Sequence, residues 1–321
     1  MKTNFINLRQ YLIRGVRLAA TLMAAAVLIM TLIGLSAPQV SAAPTAQSGP
    51  PGSLDPTFGN GGVVITDMGS ADTIYGMAVQ PDGKIVVAGT SEALHPSVSL
   101  ARYNIDGSLD TTFGTGGKVT APFALGEYAA YAMALQSDGK IVVAGTSSND
   151  FFLARFNADG SPDNSFDIFS PYNRTNLGGT DIAKSVAIQN TVNGDRIVVA
   201  GNSGQDFAVA RFIDGTLDPN FGEGTPTLPK GATITDLDGN DSGNALAVQN
   251  DGRLVVAGTA DGLGDTRYAL AAYTLAGSSN ISYIYNPPGG EGFDNYHHEA
   301  IAQQSDGGLV VAGFREIFTG G

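Results

Sequence analysis

The chain contains no cysteine and no tryptophan, only three histidines, and only 15% charged residues among its 321. Without thiols there is no disulfide framework, no zinc–thiolate or iron–sulfur centre and no cysteine nucleophile. Positive charge is also scarce: 17 Lys and Arg stand against 30 Asp and Glu, a net charge of −13. Nucleic-acid binding needs clustered cations that displace counterions from phosphates, so nucleic acid is excluded as a partner. No 3.6-residue apolar period is found, and 43 glycines argue further against a helical solenoid. What is present is 43% hydrophobic residues, ample for a packed core rather than a disordered chain.

The first 43 residues differ from the rest. Lys2, Arg9, Arg14 and Arg17 precede an almost wholly apolar stretch from Leu18 to Leu35, followed by small residues through Val40-Ser41-Ala42. This order reads as a secretory signal peptide over residues 1–43, cleaved after Ala42 or Ala43. The apolar stretch is also long enough for an uncleaved anchor, which is the one route by which a membrane enters as a partner. No Arg-Arg pair supports twin-arginine export. Residues 44–52, Pro-Thr-Ala-Gln-Ser-Gly-Pro-Pro-Gly, read as a short linker. Removing residues 1–43 takes away four cations and no acid, so the exported chain carries −17. The expected location is secreted or cell-surface, with stability resting on packing alone.

Internal repetition is the main signal. The phrase Ala78-Val-Gln-Pro-Asp-Gly-Lys-Ile-Val-Val-Ala-Gly89 returns at Ala134–Gly145, Ala187–Gly201, Ala247–Gly258 and Ala302–Gly313, its closing glycines 56, 56, 57 and 55 residues apart. A second phrase, Gly52-Ser-Leu-Asp-Pro-Thr-Phe58, returns at Gly107–Phe113, Gly160–Phe166 and Gly215–Phe221, and in degraded form at Gly277–Tyr283. Between them lies Leu100-Ala-Arg-Tyr-Asn104, matched at Leu153–Asn157, Val209–Phe212 and Leu270–Thr274. The third copy carries an insertion, Thr191-Val192-Asn193.

Each unit reads as four short strands, in the first copy Ile74–Gln80, Lys84–Thr90, Val98–Asn104 and Lys118–Ala121. Asp82-Gly83 is expected as a two-residue hairpin turn, with Asp106-Gly107 ending the third strand similarly. Ile85–Ala88 is continuously apolar, as in a strand buried on both faces. Sheets stacked face to face give that environment, whereas a two-layer sandwich gives alternation. Four antiparallel strands per unit, radially repeated, predict an all-β fold: a β-propeller of about five four-stranded blades over residues 53–321. The phrases "AVQPDGKIVVAG", "FFLARFNADGS" and "GSLDTTFGTGGKV" resemble the delta-60 repeat family, a β-propeller-type repeat of exported bacterial proteins. The resemblance spans about residues 53 to 318. It implies a propeller and an extracellular setting, and brings no activity, cofactor or catalytic residue.

The ends pose a closure problem. Residues 53–66 read as the last strand of a unit and residues 296–318 as the first two strands of another. The last blade is therefore incomplete or shared between the termini, or the sequence is a piece of a longer array. Asp55 lacks its expected arginine. A missing strand leaves an edge that can template aggregation.

The repeated Arg102, Arg155 and Arg211 offer a ring of anion ligands or, alternatively, partners for Asp110, Asp163 and Asp218, seven or eight residues later. The fourth copy carries Ala272 and Asn280 instead, while Tyr283 keeps the aromatic that follows. Joint loss of both charges favours an ion pair, since one charge alone would be buried unpaired.

Asn104–Asp110 hints at a calcium loop, but the EF-hand register places Arg102 and Phe113 at ligand positions, so it fails and a capped turn remains. Asp236, Asp238 and Asp241 form a denser oxygen cluster, the candidate calcium ligands, set against an ordinary acidic loop. His297 and His298 are adjacent, and neighbours on a strand point to opposite faces; His95 has no recognisable partner. Gly59–Gly62 and Gly114–Gly117 lack the Lys-Ser/Thr of a phosphate loop, and no nucleophile-elbow phrase is found. Asn173-Arg-Thr and Asn280-Ile-Ser are formal glycosylation sequons. No catalytic residue is nominated, and no cofactor except calcium. The expectation is a non-enzymatic extracellular scaffold for a protein or glycan partner. Its least repeat-like segments carry the site: Ser91–Ser97, Ile168–Thr180, Pro226–Asp241 and Asn286–His298. The alternatives are a hydrolase or lyase with a site at the central channel, and a calcium-stabilised surface adhesin.

Overall fold

The computed structural model describes residues 52–92, 96–121, 128–167, 170–237, 239–262, 265–285 and 295–316. The expected signal peptide and all but the last residue of the linker lie outside the described residues, as do His95 and Asp238.

The first sheet runs in the order β1 (Ala71–Val79), β2 (Ile85–Glu92), β3 (Pro96–Tyr103), β4 (Lys118–Thr120), all antiparallel. The second repeats it with β5 (Tyr128–Leu135), β6 (Ile141–Ser147), β7 (Asp150–Phe156) and β8 (Tyr172–Thr175). The third has β9 (Asp181–Thr191), β10 (Gly194–Ser203) and β11 (Asp206–Ile213), with β12 (Thr216–Leu217) and β13 (Ala232–Thr235) both paired to β11. Its inserted residues lengthen the β9–β10 hairpin, whose tip carries a fully exposed Val192. The fourth sheet is β14 (Asn240–Val248), β15 (Leu254–Gly262), β16 (Asp265–Tyr273) and β17 (Ser279–Tyr285), and the last is the pair β18 (Asn295–Gln303) and β19 (Leu309–Glu316).

One expectation about turns needs correcting. Gln80 N–H donates to Lys84 C=O and Gly83 N–H donates to Gln80 C=O, so the β1–β2 loop is the three residues Pro81–Gly83 rather than Asp82-Gly83 alone. Proline presets the first turn position, and Gly83 supplies the positive φ of 84° that the third requires.

The continuous apolar strands are explained by stacking. Val86 and Ala88 of β2 pack with Ile141 and Val143 of β6. The alternate residues Val142 and Ala144 of β6 face Ile197 and Val199 of β10, and Val198 and Ala200 of β10 face Leu254 and Val256 of β15. β6 and β10 thus each contribute to two cores, and each fully buried valine there stabilises by about 1.5–3 kcal/mol.

The stack's outer faces are only partly covered. On the first sheet Ile74 and Val79 are 47% and 46% exposed, whereas the equivalent Ala130 of β5 is 1% exposed. On the last sheet Val310 and Phe314 are each 46% exposed. Residues 52–66 do not form the expected strand; among them only the Asn60–Val63 bridge appears. In the neighbouring units a third strand lies beside this segment, and none does so here among the described residues. It lies against the first sheet, with Val64 packed on Val87, Ala101 and Tyr103, rather than completing β18–β19. Among the described residues the last sheet is the pair β18–β19, and residues 52–66 do not join it as a shared blade.

Candidate functional site

The repeated arginines come from β3, β7 and β11, and the repeated aspartates from the loops that follow. Arg102 Nε donates to Asp110 at 2.7 Å, Arg155 to Asp163 at 2.8 Å and Arg211 to Asp218 at 2.9 Å, all buried. Each guanidinium lies over a phenylalanine three residues beyond the aspartate: Phe113, Phe166 and Phe221, at 4.7, 4.8 and 4.7 Å from the ring centroids. The Nη1 donors are committed as well. Arg102 Nη1 donates to Gln80 Oε1 (3.2 Å) and to Ala158 C=O of the next unit (2.6 Å). Arg155 Nη1 reaches Gln136 and Asp214, and Arg211 Nη1 reaches Gln189 and Leu275 C=O. The arginines therefore clamp one unit to the next; they are not a ring of anion ligands.

Two partners were not anticipated. Gln80, Gln136 and Gln189, at equivalent positions in the first three units, each accept from the arginine. A second cation, Lys84, Lys140 or Arg196, reaches the aspartate at 2.8, 3.2 and 3.5 Å. The Lys84 ammonium, then the Thr112 hydroxyl, holds Asp110 well below the usual carboxylate range. Burial pushes Asp163 up, but hydrogen bonds from Ser165 and Lys140 and the charge of Arg155 outweigh it, leaving a value of about 2. In the fourth unit Arg253, the counterpart of Lys84, pairs instead with Asp251 in its own turn (2.7 Å). Tyr283 does not take the phenylalanine's place: β17 runs straight through it, and it is half exposed.

The second cluster involves the loops that enter β1, β9 and β14. Met68, Leu177 and Leu237 N–H donate to Asp72, Asp181 and Asp241 Oδ2 at 2.8, 2.6 and 2.5 Å. The aspartate four residues on is thus a repeated loop clamp, legible as an Asx-apolar-x3-Asp spacing that the sequence reading passed over. At the second-to-third junction, Asn176 Nδ2 donates to Asp150 Oδ1 on the preceding hairpin tip at 2.8 Å. At the third-to-fourth junction the equivalents are Asp236 and Asp206, so a carboxylate replaces the amide donor. One carboxylate oxygen from each of Asp206, Asp236 and Asp241 lies within 4.8 Å of the other two. Burial, then the neighbouring Asp236 charge, raises Asp206 above its ordinary value. Of the candidate calcium ligands, Asp236 and Asp241 come together; Asp238 lies outside the described residues, and Asp206 of the adjacent sheet joins them. Its signal was the Asp-Phe pair at both hairpin tips, Asp150-Phe151 and Asp206-Phe207. Three hard oxygen donors suit calcium in kind.

Other candidates offer less. A cleft of about 650 Å³ is lined by residues including Asp67, Lys118 and Ser161. Lys118 donates to Asp67 C=O and the Ser161 hydroxyl to Asp159, so neither is poised for chemistry. His297 and His298 lie on β18. Of the candidate loops, residues 91–92, 96–97, 170–180, 226–237, 239–241 and 295–298 are described.

The sheets define an all-β protein of the β-propeller type. Residues 80–113 and 136–166 match a family described as "Domain of unknown function (DUF5122) beta-propeller". No curated protein matches in sequence. Among solved structures, hydrazine synthase of Kuenenia stuttgartiensis is 12% identical, with a TM-score of 0.49, 78% of this chain covered and 59% of that one. The periplasmic gluconolactonase of Pseudomonas aeruginosa is 15% identical (TM-score 0.43; 74% and 65% covered). Virginiamycin B lyase of Staphylococcus aureus, in an inactive variant with quinupristin, is 14% identical (TM-score 0.38; 74% and 76% covered). The chain thus spans less than two thirds of the first two. Among the described residues no helix is long and apolar enough to cross a membrane.

Proposed function

We propose that the chain is an exported, non-enzymatic β-propeller-type scaffold whose unit-specific loops bind an extracellular protein or glycan. The observation that carries this reading is that in the first three units the repeated arginine and aspartate are spent on one another, and each arginine also bonds across to the next unit. Repetition then serves construction, and recognition falls to the segments that do not repeat. The test is a glycan and extracellular-protein binding panel run beside lactonase, lyase and glycosidase assays, with residues 225–229, in the loop between β12 and β13, exchanged for glycine-serine. Binding without turnover, lost on loop exchange, is expected. Turnover removed by substituting a single acid would contradict the reading. Export predicts that the chain recovered outside the cytoplasm begins at Ala43 or Pro44; an intact N-terminus there contradicts cleavage.

A second reading, a calcium-stabilised surface adhesin, is favoured by the Asp206–Asp236–Asp241 cluster. A cation there would offset the repulsion that the amide of Asn176 relieves at the equivalent junction. A ligand bound only by the folded state raises the melting temperature. A melting temperature unchanged between calcium and chelator would end this reading.

A further inference from the structure

The arginine-accepting loop occurs once more, ahead of the first sheet, at residues 53–62. Its internal geometry copies that of the Arg102 acceptor. Thr57 N–H and hydroxyl donate to Asp55 Oδ1 at 2.9 and 2.7 Å; Thr112 gives Asp110 the same pair at 3.1 and 2.7 Å. Phe58 N–H donates to Asp55 C=O and Gly62 N–H to Phe58 C=O at 3.1 and 2.8 Å, against 3.0 and 2.9 Å for Phe113 and Gly117. Gly59, Gly61 and Gly62 sit at φ of 57°, 63° and 92°; Gly114, Gly116 and Gly117 sit at 52°, 62° and 92°. Both loops dock on the following unit in one way, Gly59 N–H to Asp106 C=O and Gly114 N–H to Asp159 C=O, at 2.8 and 2.9 Å.

The difference is what faces the loop. Asp110 N–H donates to Arg102 C=O and Arg102 N–H to Gly117 C=O, at 2.9 and 3.0 Å. Among the described residues no strand takes these places at Asp55 and Gly62. Asp55 is exposed and Phe58 only half-buried, where Phe113 is fully buried. Hydrogen bonds from Thr57 already hold the Asp55 carboxylate below its ordinary pKa. Residues 63–65 correspond to β4, which pairs with β3; Val63 and Ile65 are 47% and 91% exposed.

We propose that Asp55, Thr57 and Phe58, with the open backbone of residues 62–65, form a recognition socket for an arginine-bearing extended strand of a partner polypeptide. The pattern it fits is apolar-Ala-Arg-aromatic, as in Leu100–Tyr103. The strand adds its backbone to residues 62–65, its guanidinium docks on the Asp55 carboxylate, and Phe58 lies beneath it. The net negative charge of the chain favours a cationic strand. This goes beyond the scaffold reading and does not depend on it.

The probe is a fluorescent peptide with the sequence of residues 96–104, titrated against the purified chain and read by anisotropy. Saturable binding is expected. Replacing its arginine by alanine should weaken binding about tenfold or more, the scale of a lost charged hydrogen bond. Lysine in its place should also weaken it, because the planar fork and the stacking are lost. Asp55→Asn in the protein should weaken binding of the arginine peptide while leaving the circular dichroism and melting temperature unchanged. No binding, equal binding of the alanine peptide, or unchanged affinity of Asp55→Asn would overturn the proposal.

Discussion

Arg155 illustrates how a charged residue comes to be retained in an apolar stack. Its guanidinium is buried, bonded to Asp163, Gln136 and Asp214, and stacked on Phe166. Removing it leaves the buried Asp163 carboxylate with Lys140 alone, at 3.2 Å, so Arg155→Ala should cost about 2–3 kcal/mol. The fourth unit, with Ala272 and Asn280, shows that losing both charges is tolerated. Arg155→Ala with Asp163→Asn should therefore cost clearly less than the two single changes added; additive costs in a urea double-mutant cycle would refute the pairing. The pH dependence has a definite sign. Asp110 and Asp163 have lowered pKa values in the folded state, so the stability they contribute is full above the ordinary value near 4. It is lost as pH falls through about 2 for Asp163, and at lower pH still for Asp110. Melting temperature should decline over that window, and Asp163→Asn should flatten the decline. The pair was legible in the sequence because both charges vanish together. Gln80 and Lys84 were not, because repetition alone does not say which repeated polar groups converge. Tyr283 misled because its spacing survives while the loop that would turn it inward has become a strand.

At the scale of elements, the repeated phrases located the strands within three residues in the first unit. They did not give the loop clamps or the fate of residues 53–66, since a strand forms only where a neighbour offers its edge. The glycine closing each of the first four apolar phrases has a steric reason. A Cβ on Gly145 would fall on the carbonyl oxygen of Ala129, at the bulge where β5 shifts register against β6, and Gly89, Gly201 and Gly258 stand equally close to Thr73, Ile182 and Ser242. Gly145→Ala should destabilise by about 3 kcal/mol; a melting temperature within a degree of the parent would show that the bulge relaxes freely. The acidic junction makes an opposite prediction. Asp236→Asn supplies the amide that Asn176 provides one unit earlier, so in chelator it should raise stability by about 1 kcal/mol. On the adhesin reading it should also abolish any calcium-dependent rise. A lower melting temperature in chelator would contradict the equivalence of the two junctions.

Across the whole molecule, stability is a sum of sheet-to-sheet cores and the arginine clamps that cross them. Both are nearest-neighbour terms of the kind that govern repeat proteins. The propeller-type stack was legible from continuous apolar strands at a fixed period. The uncovered outer faces, Ile74 and Val79 at one end and Val310 and Phe314 at the other, were legible only as an unmatched phrase count. The central claim is that the repeated charges couple adjacent units into one cooperative array. Urea unfolding of the chain and of Arg155→Ala, followed together by circular dichroism and tyrosine fluorescence, tests it most directly. The account predicts one coincident transition for the parent, and for Arg155→Ala a lower midpoint or a separation of the two signals as the second and third sheets uncouple. An unchanged, coincident transition in the variant would contradict it.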